Sequence, residues 1–238
     1  MKRIFSVLLI FILVLGLCSC DRFEDTPETD AAFAAYEEAI KRIIACKSGT
    51  VSVQTVNKDT LENTESVGVI EYSYITDENS RVSFDRKDYT NGELVASYYG
   101  DGTAAYQMDL TTDEWIDVTE TSGDMLEHDK NYMNTLSLFR IDSDFRYSKQ
   151  YYESVVLEEV EEGGRVITFT LKSSVISDMF SYTDDREMKR EMTHQYRSYY
   201  VDASGELYKI VIDSSQNVSL SGKEGVLSNV ITVLVDFK

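Results

Sequence analysis

Few side chains in this 238-residue sequence have the types and spacing that chemistry needs. The two histidines, His128 and His194, fall in different segments, and neither has a neighbouring ligand at the spacing a zinc site uses. Carboxylates come in close pairs, Asp142 with Asp144 and Asp184 with Asp185. With 42 acidic residues such pairs arise by chance, and no EF-hand spacing accompanies them. There is no Gly-x-Ser-x-Gly elbow, no glycine-rich phosphate cradle and no His-Glu-x-x-His pair. The expectation is a protein that is not an enzyme and carries no cofactor or metal. The remaining chemistry belongs to the cysteines at 18, 20 and 46.

Cys18 and Cys20 close the one long apolar run. Met1-Lys2-Arg3 leads into Ile4 to Leu17, almost without a polar side chain, which is the layout of a secretory signal. The run is shorter than the roughly 20 residues of a spanning helix. Leu17-Cys18-Ser19-Cys20 resembles the bacterial lipobox: an apolar residue, two small ones, then the cysteine that is lipidated. Cys20 fits that pattern, whereas Cys18 has the bulky Leu17 where a small residue is needed. The resemblance implies removal of residues 1–19 and acylation of Cys20 by diacylglycerol or palmitate-type chains. The mature protein then sits on the extracytoplasmic face of the cell membrane, each buried CH₂ adding about 0.8 kcal/mol to the anchor.

Loss of residues 1–19 takes Lys2 and Arg3 with it, so 21 of the 23 basic residues remain against all 42 acidic ones, a formal charge of −21. Such a chain repels phosphate backbones and anionic headgroups, which excludes nucleic acid as a partner and leaves the anchor as the route to the membrane. With Cys20 acylated, Cys46 is the single mature thiol and no internal disulfide can form. In the run Ile43-Ile44-Ala45-Cys46 it reads either as a small core hydrophobe or as a reactive thiol.

Residues 20–29 form an acidic tether holding the only proline, Pro27. A helix follows to about Lys47, begun by Pro27 in its first turn or capped by Asp30, with Phe33, Tyr36, Ile40, Ile43 and Ile44 on one face and Gly49 as its stop. Beyond it the period of two takes over, in TVSVQTV, GVIEYSYIT, ELVASYYG and AAYQMD, with turns at residues 77–80, Asn91-Gly92 and Asp101-Gly102. Alternation lapses near 122–144 and 174–192, where helical pieces are expected. The closing strand NVITVLVDF is apolar on both sides and is expected to be covered on both faces. About ten strands and three or four helical pieces give an α+β class: one large antiparallel sheet with helices on one side.

The order of lipobox, tether, helix, meander, helical insertion and further strands resembles the LolA/LppX-type lipoprotein-carrier superfamily. Two stretches carry the likeness best, YYGDGTAAYQMDLTTDEWIDV and YYVDASGELYKIVID. It spans residues 30–238, read as one domain. The resemblance implies a strongly curved, unclosed half-barrel whose N-terminal and inserted helices cover the concave side around an apolar cavity, with the pieces near 122–144 and 174–192 as gates. On such a sheet Tyr72, Tyr74, Phe84, Tyr98, Tyr106, Phe169, Tyr199 and Tyr208 either line a groove for an acyl chain or simply fill a half-buried surface. The implied partner is a lipid or amphiphile; the alternative is a sensor or scaffold module of the envelope that binds protein and no ligand.

Overall fold

The computed structural model describes residues 26–119, 149–180, 182–183 and 187–238. Helix α1 spans Pro27–Ala45. Thr26 caps it: its Oγ1 accepts from the Thr29 backbone N–H at 3.2 Å, and Thr29 Oγ1 accepts from Thr26 N–H at 3.0 Å. Pro27, lacking an N–H, sits where none is needed. The cap is therefore Thr26 rather than Asp30. Nor does Gly49 end the helix. Cys46 already turns into extended backbone, and Gly49 lies in the first strand, where a Cβ would come within 2.9 Å of the Asp236 carbonyl.

The strands are β1 (Ser48–Asp59), β2 (Thr64–Thr76), β3 (Val82–Thr90), β4 (Glu93–Asp101), β5 (Ala105–Asp109), β6 (Glu114–Asp117), β7 (Tyr152–Glu159), β8 (Arg165–Leu171), β9 (Tyr182–Thr183), β10 (Lys189–Val201), β11 (Leu207–Leu220) and β12 (Lys223–Phe237). A second helix, α2, covers Ser173–Phe180. Among the described residues these twelve strands form a single antiparallel sheet in the order β6-β5-β4-β3-β2-β1-β12-β11-β10-β8-β7, with β9 beside β10. The class is α+β, as expected, and the sheet is not closed.

This order follows from two meanders that start and end in the middle. The chain runs outward from β1 to the edge at β6, resumes at the opposite edge with β7, and works inward to β12. There the two ends meet, with Gly49 opposite Phe237 and Asp59 opposite Leu227. Neighbouring strands are thus joined by local hairpins except at this central ladder and between β8 and β10, where α2 and β9 intervene. The hairpin turns use Asp side chains in one repeated way. Asp101 Oδ1 accepts from the N–H groups of Thr103 (2.8 Å) and Ala104 (2.9 Å), and Asp202 Oδ1 from those of Ser204 (2.8 Å) and Glu206 (2.9 Å).

Two expectations are corrected. The helical piece near 174–192 is shorter, since strand alternation already holds from Lys189 and Met192 lies within β10. The closing strand β12 is central, but only its inner side is well covered: Val233 is fully buried while Leu234, on the outer face, is 50 % exposed. Its backbone N–H and C=O groups are paired by a neighbouring strand on each side. The expected helical piece at 122–144 lies outside the described residues.

Candidate functional site

Strand register assigns every residue to a face, because directly opposed residues share one side. One row reads Ile70, Val53, Val233, Ile210, Tyr199, Ile167 across six strands. This inner face is the one α1 packs on, through Ala32, Tyr36, Ala39, Ile40 and Ile43, all buried. Helix α1 rests on β7, β8 and β11. The inner side of β1 to β4 therefore lies beyond its main footprint.

Six of the eight aromatic candidates stand on the inner face, in two groups. Phe169 and Tyr199, 1 % and 0 % exposed, join Phe33 and Tyr36 of the helix. Tyr36 meets Tyr199 edge-on at 4.8 Å and Phe169 at 5.2 Å, and Phe33 meets Phe169 at 5.4 Å. Burial pushes the Tyr199 phenol above its ordinary range. The second group is Tyr72 stacked on Phe84 at 5.7 Å, with Tyr74 and Phe237 beside them. Burial first, and then the nearby Cys46, pushes Tyr74 up to about 12. Tyr98, half-buried, lies at the margin of this group with the Arg86 guanidinium 5.7 Å over its ring.

The other two stand elsewhere. Tyr106 is opposite Tyr99 on the outer face, the rings stacked at 4.6 Å with Trp115 edge-on to Tyr99. Tyr208 is the unpaired residue between two register positions of β11, exposed, with its ring against Tyr200. The outer face also carries a groove of about 420 Å³ over β12, β1, β2 and β3, lined by alternate residues such as Ser52, Glu71, Lys87 and Leu234. Cys20 lies outside the described residues, as do His128, Asp142, Asp144, Asp184 and Asp185. Cys46 is half-buried at the helix end, where its thiol donates to the Arg42 carbonyl at 3.3 Å and burial pushes its pKa up.

Charged and polar side chains also occupy the inner face, and sequence reading passed over them. Arg86 donates to both carboxylate oxygens of Asp88 at 2.8 and 2.9 Å, a forked pair set two residues apart on β3. Asn229 Nδ2 donates to Asn57 Oδ1 at 2.6 Å between β12 and β1. Their signal was present: each follows or precedes apolar residues at the same parity, as Asn57 does after Val51 and Val53. It becomes readable once the inner parity is known. No group of three His, Cys, Asp or Glu side chains that could hold a metal occurs among the described residues. No helix among them is long and apolar enough to cross a membrane.

The arrangement is a broad apolar surface, half under a helix, with a few fixed polar groups at its margins. Among solved structures, the chain is similar to the Mycobacterium tuberculosis lipoprotein LppX. That match covers 87 % of this chain and 94 % of LppX, at 14 % identity and a TM-score of 0.45. LprF from Mycobacterium bovis matches at 10 % identity over 87 % of this chain and 92 % of that one, with a TM-score of 0.41. An outer membrane lipoprotein-sorting protein domain from Vibrio parahaemolyticus matches at 8 % identity over 88 % and 93 %, with a TM-score of 0.31. No family model matches the sequence, and no curated protein matches it.

Proposed function

We propose that this chain is a lipoprotein of the bacterial envelope, anchored through Cys20 to the extracytoplasmic face of the cell membrane, that binds the acyl part of an amphiphile against the inner face of its open sheet. The observation that carries this reading is the inner row from Ile70 to Ile167, apolar across six strands, whose buried members pass into the half-buried Ile70 beyond the main footprint of α1. Burial of ligand against such a surface yields about 25 cal/mol per Å² of apolar area before ordering costs. No bond is made or broken, so the protein acts by holding and presenting rather than by catalysis. Because it carries its own anchor, it hands its ligand over locally instead of diffusing between membranes.

The test uses residues 21–238, which contain every described element, examined by native mass spectrometry for co-purified lipid. A stoichiometric lipid, lost when the half-buried inner residues Tyr98 or Ile231 are changed to Glu in a chain that keeps its circular dichroism, supports the reading. A clean apo mass, under conditions where a known lipid carrier keeps its cargo, favours the protein-binding scaffold instead. Separately, Cys20→Ala in the full chain is expected to abolish palmitate labelling and free the protein from the membrane fraction.

A further inference from the structure

The inner face is not uniformly apolar along its strands. Two residues beyond the Tyr199 row stands the row of Thr55, Ile231, Ile212 and Arg197, and two further on the row of Ser66, Asn57, Asn229, Ser214 and Gln195. This last row has no apolar member. From Tyr199 to Gln195 is four residues, about 13 Å along a strand. One end of the surface therefore suits hydrocarbon and the other presents amides and hydroxyls.

The polar end is incompletely satisfied. Ser214 and Gln195 are 7 % and 9 % exposed, and the Gln195 side-chain carbonyl has no hydrogen-bond partner. The buried side-chain carbonyl of Gln216, one pleat beyond Ser214 on the same face, has none either. A buried acceptor left unpaired carries its full desolvation penalty, and an apolar residue of the same size would avoid it. Asn229 Nδ2 donates to Asn57 Oδ1 at 2.6 Å, and Arg197 already has partners of its own. What these two carbonyls of Gln195 and Gln216 lack is a donor.

We infer that the Asn57–Ser214–Gln195–Gln216 end of the inner face receives the head of the amphiphile, and that this head is uncharged and donates hydrogen bonds through hydroxyl groups, as the glycerol of a monoacylglycerol does. A fully ionised phosphate or carboxylate head has no hydrogen to donate to these two carbonyls. The inference rests on the acyl-binding reading above and names the class of ligand it selects.

Three lipids with the same chain separate the alternatives: monopalmitoylglycerol, palmitate and palmitoyl lysophosphatidic acid, titrated into residues 21–238. Monopalmitoylglycerol is expected to bind about tenfold tighter than either anion, the value of one or two hydrogen bonds. Gln195→Leu and Gln216→Leu are each expected to erase most of that preference while leaving palmitate affinity unchanged. Both variants should melt no lower than the parent, since each removes an unpaired acceptor. Equal affinity for the three lipids, tighter binding of the phosphate, or a large drop in melting temperature for both variants overturns the headgroup assignment while leaving the acyl site standing. If none of the three binds, the acyl-binding reading falls and this inference falls with it.

Discussion

Asn229 on β12 and Asn57 on β1 are hydrogen-bonded through their side chains at 2.6 Å, 172 residues apart in the chain. They sit in the central ladder, which no hairpin connects, where the first strand of the sheet meets the last. Replacing either by Ala leaves a half-buried amide short of its partner. Each single change is expected to lower stability by about 1 kcal/mol, and the double change by less than the sum. A double-mutant cycle in urea measures this, and strict additivity would mean the pair contributes nothing.

The aromatic seam under α1 should dominate stability. Tyr199→Ala or Phe169→Ala removes a fully buried ring from the contacts with Tyr36 and Phe33, and a loss of about 3–5 kcal/mol is expected. Tyr208→Ala, at an exposed bulge, is expected to stay within about 0.5 kcal/mol. Denaturant midpoints of the three variants decide the matter. Comparable losses at 199 and 208 would contradict the assignment of the two tyrosines to different surroundings.

Acid should weaken the hairpins. Asp77, Asp101, Asp109 and Asp202 are held below the ordinary carboxylate range by hydrogen bonds: from the Arg81 backbone to Asp77, the Thr103 hydroxyl to Asp101, the Thr111 backbone to Asp109 and the Ser204 hydroxyl to Asp202. A depressed folded pKa contributes stability that is present above the unfolded value and lost as pH falls through the folded one. Stability is therefore expected to decline below about pH 4. Asp101→Asn with Asp202→Asn should flatten that decline, as followed by thermal melts between pH 2 and pH 6.

Alkali should act through Tyr74. Its folded pKa is raised to about 12, so it favours the folded state fully below the ordinary tyrosine value near 10 and loses that contribution as pH rises toward 12. Absorbance titration at 295 nm is expected to show a late-titrating tyrosine that Tyr74→Phe removes. The Tyr74→Phe chain should also keep more of its stability between pH 10 and pH 12.

Gly205 shows how finely one contact is set. It holds φ at +88°, and a Cβ there would lie 3.1 Å from the Arg42 guanidinium. Arg42 donates to the Ser204 carbonyl at 2.7 Å and pairs with Glu38 and Glu206, tying the last turns of α1 to the β10–β11 turn. Gly205→Ala is expected to cost about 1 kcal/mol or more, from backbone strain and displacement of that guanidinium, by thermal melting.

Much of this molecule is determined locally and so can be read along the chain. The proposed export and lipidation rest on residues 1–20 alone, because a signal and a lipobox are linear patterns. Helix α1 follows from a 3.6-residue apolar period, and the hairpins from Asp and Gly turns whose hydrogen bonds span two to four residues. Faces are another matter. The turn after Asp101 sets Tyr99, not Tyr98, opposite Tyr106, and a bulge frees Tyr208 from the alternation, so two of eight aromatics stand away from the inner face. One residue of register reverses every side chain, and register is fixed by turn geometry and long-range pairing. The meeting of β1 with β12 likewise lies beyond local pattern, since nothing near Val53 names Val233 as its neighbour. Only the assembled sheet brings the polar ends of β1, β10, β11 and β12 into one row, because the β1–β12 pairing that completes it joins residues 172 apart in the chain.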